Sequence, residues 1–171
     1  MRRVLLVVGL VILAAGIQPI SAIYVPQSRR EFMNAVAAGG RGTKMEKITV
    51  DRNLAEIYSV LKKRSSPCLD VEVRRTGYVG YTERSLSDYN PTLKMVGKNK
   101  VEFALQVVHR PRAVGEVTAP GGLYIMAADL KWLGKNRTEV TLYRSSIGFK
   151  QITNSVRQWA SGEDADCPKM K

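Results

Sequence analysis

Two cysteines, Cys68 and Cys167, and one histidine, His109, are the most reactive side chains of this sequence, and their number bounds its chemistry. A structural or catalytic zinc takes three or four N, S or carboxylate ligands, which one imidazole and two distant thiols do not assemble. An even cysteine count favours a disulfide in an oxidising compartment; the alternative is two separate buried thiols. The bond would close a loop of ~100 residues, worth about 4–5 kcal/mol by chain entropy. His109 ends a run of alternating residues and precedes Arg110-Pro111-Arg112. It reads as an ordinary surface or hydrogen-bonded histidine rather than a catalytic one. The cluster Gly39-Gly40-Arg41-Gly42 lacks the preceding strand and following Lys-Ser/Thr of a phosphate loop and reads as a turn. No serine sits in a nucleophile elbow. Asn136-Arg137-Thr138 is a glycosylation sequon, relevant only in a host with that machinery. These residues predict no catalytic group, no metal and no cofactor.

The compartment is read from the N-terminus. Met1-Arg2-Arg3 is a positive start, Val4 to Ile17 is apolar throughout, Gln18-Pro19 breaks the run, and Ile20-Ser21-Ala22 places a small residue for cleavage. This order predicts a signal peptide over 1–22, cut after Ala22, and an exported periplasmic or extracellular product. The alternative is an uncleaved anchor, for which the run falls short of the roughly 20 residues a spanning helix needs. No cysteine precedes Cys68, so no thiol near the cleavage point could carry a lipid. Ser28-Arg29-Arg30-Glu31-Phe32-Met33 has the look of a twin-arginine signal, but the residues after it are too few and too polar to form an apolar region. With Phe32 and Val36 four apart, Arg29 to Ala38 reads instead as a short helix docked on a domain.

Loss of Arg2 and Arg3 takes 27 basic residues to 25, against 15 acidic, leaving a net charge of +10. The cations are scattered, with no block of five. They read either as a solvated surface or as attraction to anionic lipid headgroups or envelope polysaccharide. Nucleic acid is not expected as a partner. The loops Lys98–Lys100 and Lys135–Arg137 are expected to meet at one end of a sheet as a basic rim.

The elements that must hold these residues follow from periodicity. After a 23–43 segment carrying the short helix, 44–171 reads as one α+β domain. Lys47–Val50 is a strand. Asn53 caps a helix, with Glu56 three residues on; Leu54, Ile57, Tyr58 and Leu61 share its apolar face, Lys62-Lys63-Arg64 lie toward its C-terminal end, and Ser65-Ser66-Pro67 stops it. Strands follow at Asp70–Arg75, at Gly77–Thr82 and, after a turn at Asn90-Pro91, at Thr92–Val96. Val101, Phe103, Leu105 and Val107 alternate with Glu102, Ala104 and Gln106, the clearest half-buried strand. Leu123–Trp132 is apolar on both faces early on, and Thr138–Tyr143 turns Val140 and Leu142 to the core. A last helix runs from about Phe149 to Gly162, with Ile152, Val156 and Trp159 on one face.

This order of strand, helix, consecutive antiparallel strands and C-terminal amphipathic helix resembles the helix-grip architecture of the START-like superfamily, also called the SRPBCC or polyketide-cyclase group. The resemblance spans about Lys44 to Gly162 and rests on element order rather than on a catalytic motif. It departs in having one clear helix between the first two strands and an added N-terminal helix. It implies a curved antiparallel sheet of about six or seven strands wrapped around the C-terminal helix, and it implies that Cys68 and Cys167 come together. It also implies that an apolar or lipid-like small molecule binds between sheet and helix, lined by Phe103, Leu105, Val107, Leu123, Ile125, Val140, Leu142, Ile152, Val156 and Trp159. The alternative is an envelope interaction protein whose core these residues simply fill, with Tyr78, Tyr81 and Tyr89 as surface aromatics. An enzyme would need polar groups facing the cavity, and Glu102 and Gln106 face away.

Overall fold

The computed structural model describes residues 25–76, 84–110 and 117–170. The signal peptide read over 1–22, the strand read at Gly77–Thr82, and the surface roles given to Tyr78 and Tyr81 lie outside the described residues. The described chain is α+β. Its strands are β1 (Lys44–Val50), β2 (Glu72–Thr76), β3 (Arg84–Met95), β4 (Lys100–Arg110), β5 (Leu123–Gly134) and β6 (Arg137–Arg144). Its helices are α1 (Arg29–Ala37), α2 (Leu54–Leu69) and α3 (Lys150–Ser161), the last preceded by a 3₁₀ turn over Ile147–Phe149. The strands form one antiparallel sheet in the order β1-β6-β5-β4-β3-β2.

Alternation assigns the faces. Phe103, Leu105, Ala128, Leu130, Val140 and Leu142 point to one side and join Ile57 and Leu61 of α2 and Ile152, Val156 and Trp159 of α3 in the main core. The intervening residues point to the other side, where Ala127, Tyr124 and Tyr143 pack under Phe32 and Val36 of α1. This second layer explains why β5 is apolar on both faces: α1 covers the outer one.

Two stop signals are overridden by packing. α2 does not end at Ser65-Ser66-Pro67 but passes through Pro67 to Leu69, so Lys62-Lys63-Arg64 lie within the helix rather than in its last turn. A proline inside a helix costs about 3 kcal/mol, which is offset by burying Leu69, worth about 2 kcal/mol or more, together with Cys68 beside it and its bond to Cys167. Likewise Asn90-Pro91 is not a turn: β3 runs straight through it. β2 pairs only with Arg84–Asp88, and Tyr89 turns its N–H away from β4 to Val71 O at 3.0 Å. By the period of two, the ring nitrogen of Pro91 faces the same outer edge, where no strand among the described residues asks it for a donor. Tyr89, expected on the surface, is buried in the core for the same reason: it shares the inward face with Leu93.

The connections follow their turn chemistry. Lys135 and Asn136 both take positive φ (49° and 57°), the conformation that a two-residue hairpin turn requires, so the sequon asparagine sits exposed at a turn tip. Gly122 has φ of 107°, and a Cβ there would come within 2.4 Å of Val107 O; only glycine lets β5 start this close to β4. α2 is capped by Asn53, whose side chain accepts from Ala55 N rather than forming the box with Glu56. α3 ends in Gly162 at φ of 88°.

Candidate functional site

The ten residues singled out for an interior site are brought together. Nine are buried and Leu123 is half-buried, and all belong to the single cluster between the sheet and α2 and α3. Cys68 and Cys167 are joined in a disulfide with Cα atoms 5.0 Å apart. The bond fastens the C-terminal tail to the last turn of α2, and Arg64 of α2 also pairs with Asp164 of that tail. Trp159 Nε1 donates to Ala165 O at 2.9 Å, completing the closure.

One charged residue interrupts this apolar interior. Arg144, at the end of β6, shares the inward parity of Val140 and Leu142 and is only 7% exposed. Its Nε is buried without a hydrogen-bond partner, and no ion pair among the described residues involves its guanidinium. Its neighbour across the β1–β6 pair is another cation, Lys44. The carboxylate of this seam, Glu46, is already taken, by Lys44 Nζ at 3.1 Å and more loosely by Arg157 Nη1 at 3.9 Å. A buried Nε without a partner is costly, because burial removes hydration that no hydrogen bond replaces. Sequence reasoning passed over Arg144. The available signal was its parity, two residues beyond Leu142 on the core face of a strand.

At the start of α3 a groove of about 320 Å³ opens between Tyr89, Ile147, Phe149, Ile152 and Met170, lined also by Lys150 and Lys169; Arg144 does not line it. Tyr89 and Ile152 belong to the main core, and Phe149 and Met170 pack against it, so the groove adjoins the interior. A second groove of about 400 Å³ runs along the β2–β3 edge past Asp70, Glu72 and Asp88, but two of these acids are paired, Glu72 with Arg74 and Asp88 with Arg110.

His109 is exposed, with its Nδ1 2.9 Å from Ser87 Oγ across the β3–β4 pair. No carboxylate among the described residues bonds its other nitrogen, so the pair lacks the orienting third member of a nucleophile system. Gly39-Gly40-Arg41-Gly42 forms an exposed turn closed by Gly40 N and Thr43 Oγ1 at 2.8 Å. Gln106 faces away from the main core, as read, but is buried, donating to Pro120 O and Gly122 O at 2.8 and 2.9 Å.

On the outer face Arg29 of α1 clamps the helix to the sheet. It donates to Phe103 O at 3.2 Å and to Ala128 O and Asp129 Oδ1 at 2.7 Å, and lies 3.7 Å from Glu102. The Glu102 carboxyl is held below its ordinary range by the hydrogen bond from Lys100 and by Arg29, against the opposing effect of burial. The Lys100 ammonium is correspondingly raised, chiefly by the bond to Glu102. Tyr143, beneath the same helix, is raised by burial. The lowered Glu102 contributes stability that is present at neutral pH and is lost as pH falls below the ordinary carboxylate value of 4.5 through the folded one. The Lys100 contribution is present below 10.5 and is lost above it. We expect Arg29→Ala to cost about 2 kcal/mol, the worth of hydrogen bonds to a charged group, and to open α1 to limited proteolysis before the sheet unfolds. Equal protease resistance in the variant and the parent would contradict the clamp.

No protein-family model matches the chain, and no curated protein matches it. Among solved structures it is similar to the hypothetical protein jhp0584 of Helicobacter pylori, at 8% identity over 84% of this chain and 96% of that one, with a TM-score of 0.42. It is also similar to the Mll3558 protein of Rhizobium loti, at 10% identity over 70% and 95%, with a TM-score of 0.31. Likenesses at this level carry no argument about function.

Proposed function

We propose that this is an exported, non-enzymatic binding protein of the cell envelope, with a helix-grip arrangement of the START-like kind, which holds an apolar molecule bearing one anionic group between its sheet and α3. The observation that carries the reading is Arg144: a buried side chain, its Nε unpartnered and with no counter-charge among the described residues, facing the same core as the ten apolar candidates. Ligand sites are typically apolar with a few fixed polar groups, and the groove of about 320 Å³ at the start of α3 reaches this interior through Ile152 alone of the ten candidates. A carboxylate or phosphate would give Arg144 the bidentate partner its geometry suits. The Cys68–Cys167 disulfide is compatible with an oxidising, exported location.

The test pairs a long-chain carboxylic acid with the alcohol of the same chain length, titrated against parent and Arg144→Met protein. The acid is expected to bind the parent more tightly, and the substitution to weaken it by about 2 kcal/mol while leaving the alcohol unchanged. Without ligand, Arg144→Met is expected to raise stability by about 1–2 kcal/mol, because methionine fills the space without a charge to desolvate. A filled core and an interaction role would give no saturable binding of either compound.

A further inference from the structure

Both hairpin tips at the β4-start end of the sheet carry exposed apolar side chains. Met95 at the end of β3 and Val96 just after it are 43% and 40% exposed; Trp132 and Leu133 near the end of β5 are 42% and 44% exposed. The two tips are neighbours, since Trp132 N donates to Asn99 O at 3.0 Å. Cations surround them: Lys98, Lys135 and Arg137 are exposed, and no ion pair among the described residues involves them. The nearby acids are engaged, Glu102 with Lys100 and Glu139 with Lys47. We propose that these two tips dock the protein on an anionic lipid surface, with Trp132, Leu133, Met95 and Val96 entering the headgroup layer and Lys98, Lys135 and Arg137 meeting the lipid phosphates.

The combination selects the partner. A tryptophan among aliphatic side chains with long basic residues around it is the composition that prefers the membrane–water interface, where the indole sits at headgroup depth and the ammonium groups reach outward. A nucleic acid would not reward four apolar side chains, and the net positive rim opposes pairing with a second copy of the same rim. No helix among the described residues is long and apolar enough to cross a membrane, so this contact is one made from the surface. The inference is independent of the interior ligand.

The protein has two tryptophans, and Trp159 is fully buried, so Trp132 reports on the tips. The experiment follows quenching of intrinsic fluorescence by vesicles of brominated phosphatidylcholine with and without phosphatidylglycerol. Because the apolar run Val4–Ile17 would hold any bilayer if retained, quenching at Trp132 is the readout rather than co-sedimentation alone. We expect salt-sensitive quenching with the anionic vesicles only, lost in Trp132→Phe. We expect it weakened roughly 100-fold in Lys98→Gln/Lys135→Gln/Arg137→Gln, at roughly fivefold per cation. Absence of quenching, quenching that persists in Trp132→Phe, or a triple variant equal to the parent would overturn the proposal. So would a dimer in sedimentation velocity that Trp132→Phe dissolves, which would assign the tips to a second copy.

Discussion

Replacing Cys68 and Cys167 together by alanine is expected to lower stability by about 4 kcal/mol. The two cysteines are 99 residues apart, so the bond removes the entropy of a long loop from the unfolded chain. What it closes is the ring from the end of α2, through five strands and α3, back to the tail. Since a domain of this size is stable by only about 5–15 kcal/mol, the variant should lose a large share of its margin. At a urea slope of about 2 kcal/mol/M, the midpoint should fall by about 2 M, and reduction of the parent should reproduce that shift. Equal midpoints with and without reductant would contradict the account. So would two thiols titrating in the native protein, the alternative of separate buried cysteines.

The second large effect is at Trp159. Its indole is fully buried in the core, and its N–H is held by Ala165 O at 2.9 Å. Trp159→Ala should cost about 3–5 kcal/mol, from the lost burial and the void that the sheet and α2 cannot close. Trp159→Phe keeps most of the ring but leaves Ala165 O without its donor, and should cost about 1–2 kcal/mol. Ala165 is two residues before Cys167, so both changes loosen the same tail. Their costs should therefore fall short of additive when combined with loss of the disulfide. A double-mutant cycle in urea reads this directly. Strict additivity would mean that the two contacts act independently and do not share the tail.

Much of the architecture was legible because alternation and helical spacing act locally. Val101 to Val107 declared its inward face; Ile152, Val156 and Trp159 declared theirs; and all of these residues meet in one core. The sequence was misleading where tertiary contacts outweigh a local signal. Pro67 ends a helix in isolation, but here Cys68 and Leu69 are worth burying beyond it. Pro91 breaks a central strand, but along the unpaired outer edge of β3 it breaks nothing. Arg29 was read through its place in an export-like motif and as a surface cation, whereas its partners are carbonyls and a carboxylate about 100 residues away in sequence, which no window of sequence reveals.

The same limit applied to the site. The ten apolar residues were identifiable by periodicity because a lining and a core are patterned alike. Arg144 was not picked out, because a cation at the end of a strand is normally solvated. Only the sheet pairing, which sets Lys44 rather than an acid beside it, makes its lack of a counter-charge among the described residues evident. Lys98–Lys100 and Lys135–Arg137 do meet at one end of the sheet, and the apolar side chains among them became apparent only from their exposure.

The most direct measurement is native mass spectrometry of the protein purified from its own host, with solvent extraction of whatever it carries. We predict near-unit occupancy by an apolar molecule with a single anionic group, on a chain that begins at Ile23 and is lighter by two hydrogens for the Cys68–Cys167 bond. Occupancy should fall sharply in Arg144→Met. A clean ligand-free mass in both proteins would contradict the account and leave the interior as a filled core.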